Sequence, residues 1–405
     1  MEPAGPAVPG AVVAPGEPGT DRGDQPARTP ELRIAAHVCR NVLGAGMVIM
    51  PPVVAALTGG HGLLVWSAHI LLGGSISLML AMLVRARVRS TSLAGAVGAL
   101  LGSWAGRVVD GAFAVAFTAG QAAIAWFAAT CLLTAANGAL PRPGVAGLLV
   151  TLGLLAVAAL AALSPLSLPA VVLRLRPWVA GVLALAGAAG GWPGLPAPGA
   201  ATPLAPPGLS PDGGQWLALM ALFFAGVGWE SVTAIVPVAA TGPRRTVAGV
   251  ALGVASVGVV YLGLATVLAA GEPAVQDAAS APLRWVLAIA TAGVLTSYCF
   301  TNMRAAARIA ARLRPGERYP AEGGPARAIV AAVGAACCAF ALVGVWDDAV
   351  PRLLLGPAAA ALIGYALAAV AAVCTGGPLS RLAGAVVLIV LVGMVFLAVP
   401  VLLGG

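Results

Sequence analysis

The chain of 405 residues contains no lysine and only three histidines, and its charged and aromatic shares are 9% and 5%. Water-soluble globular domains carry about a quarter charged residues, so this shortage excludes a soluble chain. With 60% hydrophobic residues and a mean hydropathy of +0.98, the composition belongs in a lipid bilayer. The formal net charge of +8 does not call for nucleic acid, because arginines gathered on one side of a membrane protein give the same total. Six cysteines, Cys39, Cys131, Cys299, Cys337, Cys338 and Cys374, form no C-x-x-C pair and stand near no histidine cluster. Neither a disulfide framework nor a metal site is supported. The sequence also lacks H-E-x-x-H and G-x-S-x-G, and with them the usual signatures of a membrane hydrolase.

What is present is a series of long apolar runs. Glycine and proline are abundant, at 53 and 32 residues, but they sit within Leu, Val and Ala stretches and are tolerated in membrane helices. A window of about 19 residues finds eleven spans near 34–57, 62–83, 108–136, 145–163, 170–190, 216–237, 246–270, 282–303, 326–346, 352–373 and 382–403. Each can cross about 30 Å of hydrocarbon as a helix, and none shows the alternation of a membrane strand.

The arginines set the orientation. With the N-terminus inside, Arg85, Arg87, Arg89, Arg107, Arg174, Arg176, Arg244, Arg245 and the series from Arg304 to Arg327 fall on the cytoplasmic side. Outside connections then keep Arg142, Arg284 and Arg352, together with Glu272, Asp277, Asp347 and Asp348. The positive-inside asymmetry predicts a multi-pass protein of the cytoplasmic (inner or plasma) membrane with a cytoplasmic N-terminus.

Residues 1–31, rich in Pro, Gly and Ala, read as a disordered cytoplasmic tail rather than a cleaved signal peptide. Residues 32–190 form a first five-helix repeat, 191–215 a Pro/Gly-rich extracytoplasmic linker, 216–373 a second five-helix repeat, and 374–405 an additional C-terminal helix. The stretch Arg85 to Gly106 reads as a short helix at the cytoplasmic surface.

Two spans carry their own interruptions. The first reads Arg40-Asn41-Val42-Leu43-Gly44-Ala45-Gly46-Met47-Val48-Ile49-Met50-Pro51-Pro52. The sixth, opening the second half, reads Phe223-Phe224-Ala225-Gly226-Val227-Gly228-Trp229-Glu230-Ser231, with Pro237 following. A single G-x-G also lets helices pack closely. Interrupted helices at matching positions of two halves, however, point to an inverted-repeat transporter with its site at the bilayer midplane. Unwinding frees N–H groups that favour a carboxylate and C=O groups that favour an ammonium or a cation. An α-amino acid carries both groups.

These residues resemble a known family. Asn41 to Pro52 resembles the first-helix signature of the amino acid–polyamine–organocation (APC) permeases, and Phe223 to Ser231 with Gly242-Pro243-Arg244-Arg245-Thr246 resembles their sixth helix and following loop. Thr301 to Arg308 is similar to the end of their eighth helix. The resemblance implies an all-α polytopic membrane protein of the APC/LeuT-type fold, built from inverted five-helix repeats with about eleven transmembrane helices. It implies a small amino compound between helices one, three, six and eight, held by Val42, Gly44, Ala45 and Gly46 and by Phe224, Gly226, Val227 and Gly228. Gly44 to Gly46 would hold the carboxylate, Gly226 to Gly228 the amino group, and Phe224 would stand where relatives place an aromatic gate. Two departures stand out: Val238-Ala239-Ala240 replaces acidic residues common before the loop, and many relatives have twelve helices.

Glu230 is the acidic residue nearest the centre of a span, and an intramembrane carboxylate suggests gating or proton coupling; its bland alternative is a hydrogen bond to freed backbone groups. In the eighth span Thr296, Ser297, Thr301 and Asn302 lie where sodium-coupled relatives place a cation ligand, although membrane hydroxyls commonly bond their own backbone. Some proton-coupled relatives use a lysine in helix five, which this chain lacks. No cofactor is expected, and between coupling ions H+ is favoured over Na+, with Glu230 its carrier. Gln121, Trp126, Asn137 and Tyr298 could face a cavity or packing, while Arg40, His37 and Asp110 read as interfacial, and Arg304, Arg308 and Arg312 as a basic stripe.

The reading is a secondary active transporter, not an enzyme, that moves a neutral and apolar amino acid by import or export. Its partners are that small molecule and the bilayer, not nucleic acid, and the oligomeric state is open. Two alternatives stay open: a channel or sensor of the same fold, and an integral membrane enzyme. The latter is disfavoured because His37, His61 and His69 lie near the ends of the first two spans, away from any nucleophile or metal set.

Overall fold

Apolar runs with no water to satisfy their peptide groups fold as helices. The computed structural model describes residues 29–87, 92–138, 144–165, 167–190, 211–270, 281–313, 325–345 and 349–403. Most of the expected tail and most of the linker lie outside the described residues. The helices are α1 (Pro30–Val42), α2 (Gly46–Thr58), α3 (Gly62–Arg87), α4 (Leu93–Leu101), α5 (Ser103–Asn137), α6 (Val145–Leu163) and α7 (Ala170–Gly190). The second half supplies α8 (Pro211–Ala225), α9 (Val232–Ala239), α10 (Pro243–Ala270), α11 (Ala281–Arg312), α12 (Arg327–Ala341) and α13 (Ala349–Thr375), followed by α14 (Pro378–Leu403).

Each of the eleven expected segments coincides with helix, and two are split: the first into α1 and α2, the sixth into α8 and α9. Among the described residues nine helical stretches are long and apolar enough to cross a bilayer, one of them running Gly46–Arg85, and the bent pair Gly213–Ala225 with Trp229–Ala239 makes a tenth. The eleventh crossing exists only if α1 joins α2 across the first break. At 13 residues, with Glu31, Arg33, His37 and Arg40 among them, α1 is too short and too polar to count by itself.

The two halves interlock. From the first half, α5 packs against α11 and α13 of the second, α1 lies along α10, and α3 meets α9 and α10. Gly249 and Gly253, one turn apart on α10, let α1 come close: a Cβ at either would stand 3.0 Å from Ile34 or Val38. Small residues at that spacing are how membrane helices approach without a hydrophobic driving force.

The short helix after Arg85 is α4, capped by Ser92 Oγ, which accepts from Gly95 N–H at 3.1 Å. It buries Leu93, Ala94, Ala96 and Val97 and packs on α5 and α13, so one face belongs to the bundle rather than to the surface. The basic stripe on α11 divides its work. Arg304 donates to Ala162 O at 3.1 Å and Ser164 O at 2.6 Å, covering the last carbonyls of α6. Arg312 pairs with Asp110 at 3.3 Å, tying α11 to α5, while Arg308 is exposed.

Candidate functional site: two facing helix breaks

The first break falls at Leu43–Ala45. Leu43 N–H still closes on Cys39 O at 2.9 Å, and the ladder restarts with Met47 N–H on Gly44 O and Val48 N–H on Ala45 O, both 3.1 Å. The amides that open α2 therefore precede its first intrahelical bond, as at any helix start. Pro51 and Pro52 lie inside α2, several residues past the interruption, so the glycines and not the prolines carry the break. On the other side, Val42 O accepts from Tyr261 O–H of α10 at 3.3 Å.

The second break spans Gly226–Gly228, and α8 is bent by 44° from the turn and helix that follow. Gly226 N–H still reaches Leu222 O at 2.8 Å, after which Gly228 adopts φ 145°, a conformation that L side chains rarely take. A short 3-10 turn, Trp229–Ser231, leads into α9.

These two interruptions touch. A Cβ on Gly46 would overlap the Ala225 side chain, and one on Gly228 would overlap the Asn41 carbonyl. Glycine is needed at both positions, at the first by space and at the second by space and conformation together. Leu43, Gly44, Phe224, Ala225 and Val227 stay partly accessible around this contact, while Val42, Ala45, Gly46, Gly226 and Gly228 are buried. Phe224 lies against α5, 3.2 Å from where a Gly120 Cβ would stand.

Glu230 turns back on the break. Its Oε2 accepts from Gly228 N–H at 2.8 Å and from Tyr365 O–H of α13 at 2.5 Å, and the same hydroxyl is 3.1 Å from Gly226 O. The carboxylate thus caps a peptide N–H that the break had released, and α13 anchors it.

One face of α3 supports the break from behind. His69, Gly73 and Ser77, spaced four residues apart, fall on one helix face. Ser77 Oγ donates to Trp229 O at 2.9 Å, the Trp229 indole fills the notch at Gly73, and the His69 ring stands 2.8 Å from where a Gly226 Cβ would be. His69 is 1% exposed, and its Nδ1 and the Trp229 indole N–H have no hydrogen-bond partner among the described residues. The sequence placed His69 near a span end; packing places it at the second break. Its spacing to Gly73 and Ser77 was the available signal.

The α11 residues lie beside the first break. Tyr298 reaches within 3.4 Å of a Cβ position on Gly44. Arg176 arrives from α7: its Nη1 donates to Ser297 O at 3.0 Å and Thr301 Oγ1 at 2.9 Å, and the guanidinium lies 3.8 Å over the Tyr298 ring. Counted from the sequence among the arginines of the cytoplasmic side, Arg176 is a partly buried residue of α7 that engages the Thr301 hydroxyl considered for a cation and the backbone carbonyl, not the hydroxyl, of Ser297. Asn302 Nδ2 donates to Gln121 Oε1 at 3.4 Å, and Ser297 Oγ bonds back to Val294 O at 2.6 Å. Thr296 is half-buried on the same helix.

Of the other residues, Trp126 belongs to packing and Asn137 to neither cavity nor packing. Trp126 donates to Ala341 O at 2.8 Å, with its ring against Gly147 and Gly344, and Asn137 is exposed at the end of α5. Among the described residues no three His, Cys, Asp or Glu side chains gather as metal ligands.

The sequence matches no family model and no curated protein. Its fold, in contrast, is similar to solved structures. MhsT in complex with L-phenylalanine superposes with a TM-score of 0.58 over 91% of this chain and 98% of that one, at 14% identity. The manganese transporter of Eremococcus coleocola, in complex with an aromatic bis-isothiourea substituted compound, gives 0.55 over 89% and 85%, also at 14% identity. The chain is a polytopic all-α membrane protein of the LeuT-type fold.

Proposed function

We propose that the chain is a secondary active transporter that moves a neutral, apolar amino acid or close derivative across the cytoplasmic membrane by alternating access, with its N-terminus inside. The observation that carries this reading is the meeting of two interrupted helices, Leu43–Ala45 and Gly226–Gly228, each with peptide groups outside its helical ladder. A carboxylate at the start of α2 gains about 0.3–1 kcal/mol from the helix dipole, and up to about 2 in a partly buried setting. The L-phenylalanine bound by MhsT is of the proposed class. A hard divalent cation is usually held by one or more carboxylates among its oxygen ligands, whereas the carboxylate at the break, Glu230, is already committed to Gly228 and Tyr365, which favours a zwitterion over manganese.

The coupling ion in this reading is the proton. Arg176 occupies Ser297 O and Thr301 Oγ1 with a fixed positive charge, which disfavours Na+ there. The Tyr365 hydroxyl has one hydrogen and two acceptors. With Glu230 ionised it donates to the carboxylate; with Glu230 protonated it is released to Gly226 O. Proton binding thereby changes the backbone bonding of the second break, and His69, Tyr365 and, against the Ser231 backbone, His37 are titratable side chains packed beside it.

Radiolabelled amino acid flux in proteoliposomes tests the proposal. Sodium-independent counterflow, together with uphill uptake driven by a proton gradient, supports it. Flux without counterflow would indicate a channel, and no flux for any neutral amino acid would end the transporter reading.

A further inference from the structure

The outer side of the bundle carries a furrow between α3 and α10 that the transport reading does not use. Its volume is about 710 Å³, and its walls are almost wholly apolar, with Leu71, Ser75 and Leu78 on α3 facing Val247, Ala251 and Ala255 on α10. Gly74 and Gly258 form its floor, where Val254 and Ile70 cross. The Ser75 hydroxyl donates to Leu71 O at 2.8 Å.

The lining of α10 runs from Val247 to Leu262, about 22 Å at helical rise. One leaflet of the hydrocarbon core is about 15 Å deep, so the furrow can take a whole acyl chain. Both helical stripes run on to an arginine at the same end. On α3, Arg85 lies seven residues beyond Leu78; on α10, Arg244 lies three before Val247 and seven before Ala251. Those spacings keep each arginine on its furrow face.

Arg85 Nε donates to Thr241 O at 3.1 Å, which draws its guanidinium to the turn before α10. Arg245, by contrast, is engaged with Glu31 at 3.3 Å. Arg244 is exposed and forms no ion pair among the described residues. An apolar channel one acyl chain long therefore ends beneath two exposed cations.

We propose that this furrow is a binding site for an anionic phospholipid, with one acyl chain between α3 and α10 and the headgroup phosphate at Arg85 and Arg244. Charge complementarity selects the lipid over an apolar helix, which would leave both guanidinium groups without a counter-ion. The site is separate from the helix breaks and does not depend on the substrate.

The test is native mass spectrometry of the purified, delipidated full chain, titrated with phosphatidylglycerol or phosphatidylcholine of the same acyl chains. Wild type should retain phosphatidylglycerol preferentially, by roughly fivefold for each arginine engaged. Arg85→Gln with Arg244→Gln should abolish the preference while leaving acyl binding. Ala255 is exposed in the furrow, so Ala255→Trp should fill it and remove one bound lipid of either kind. Equal retention of both lipids by wild type would overturn the proposal, as would wild-type retention in Ala255→Trp. So would a dimer that Ala255→Trp dissociates, since the occupant would then be a second copy. If the Trp variant fails to fold, the glutamine pair still decides, because both arginines are at the surface.

Discussion

The Tyr365 hydroxyl lies 2.5 Å from Glu230 Oε2 and 3.1 Å from Gly226 O, so one hydrogen serves two acceptors 135 and 139 residues away in sequence. A charged carboxylate claims it, and a neutral one gives it up to the peptide carbonyl of the break. Glu230→Gln should mimic the neutral state: its amide oxygen can still accept from Gly228 N–H, so amino acid exchange persists while accumulation driven by a pH gradient disappears. Uphill transport measured across a set of imposed pH gradients checks this. Undiminished, pH-driven accumulation in the variant removes Glu230 as the proton carrier.

Tyr365→Phe deletes the shared hydrogen. A hydrogen bond to a charged group contributes about 1.5–3 kcal/mol, so the variant should melt earlier than wild type by that equivalent. It should also lose pH-gradient coupling while Glu230 is intact. A variant with lowered stability but normal coupling would make Tyr365 an anchor only.

Arg176 predicts indifference to sodium. Replacing Na+ by an organic cation should leave wild-type transport unchanged, because Ser297 O and Thr301 Oγ1 already face a guanidinium. Arg176→Gln should slow transport through lost charge and lost packing on Tyr298. Sodium-stimulated uptake by wild type contradicts the assignment.

The glycines of the breaks differ in what they tolerate. Gly46→Ala and Gly228→Ala meet Ala225 and the Asn41 carbonyl, and each should cost roughly 1–3 kcal/mol through overpacking or backbone strain. Gly44→Ala meets only the Tyr298 ring at 3.4 Å and should fold normally. Thermal melting of the three variants separates them; equal stability at all three positions would mean that the breaks are not in contact.

The two interruptions were legible in sequence because, although one glycine pair in an apolar span can serve close packing alone, these pairs recur at the start of each half. The position of the first break was less so: Pro51 and Pro52 drew attention, yet α2 winds through both. Arg176 was not legible, since an arginine near a span end, with Arg174 beside it, looks interfacial until α7 packs on α11, 121 residues away. His69 was missed for the same reason, as its meaning depends on Gly226 and Trp229 arriving against α3. Short-range pattern reveals which helices break; long-range packing decides what the broken ends meet.

The central claim is that peptide groups freed at Leu43–Ala45 and Gly226–Gly228 recognise the two charges of an amino acid. Binding of L-phenylalanine to the purified chain, compared with its amide and with 3-phenylpropionate, measures this directly. The account predicts that loss of either charged group weakens binding by at least about tenfold, or 1.4 kcal/mol, and that Gly44→Leu binds none of the three. Equal affinity for all three compounds, or wild-type affinity in Gly44→Leu, would contradict it.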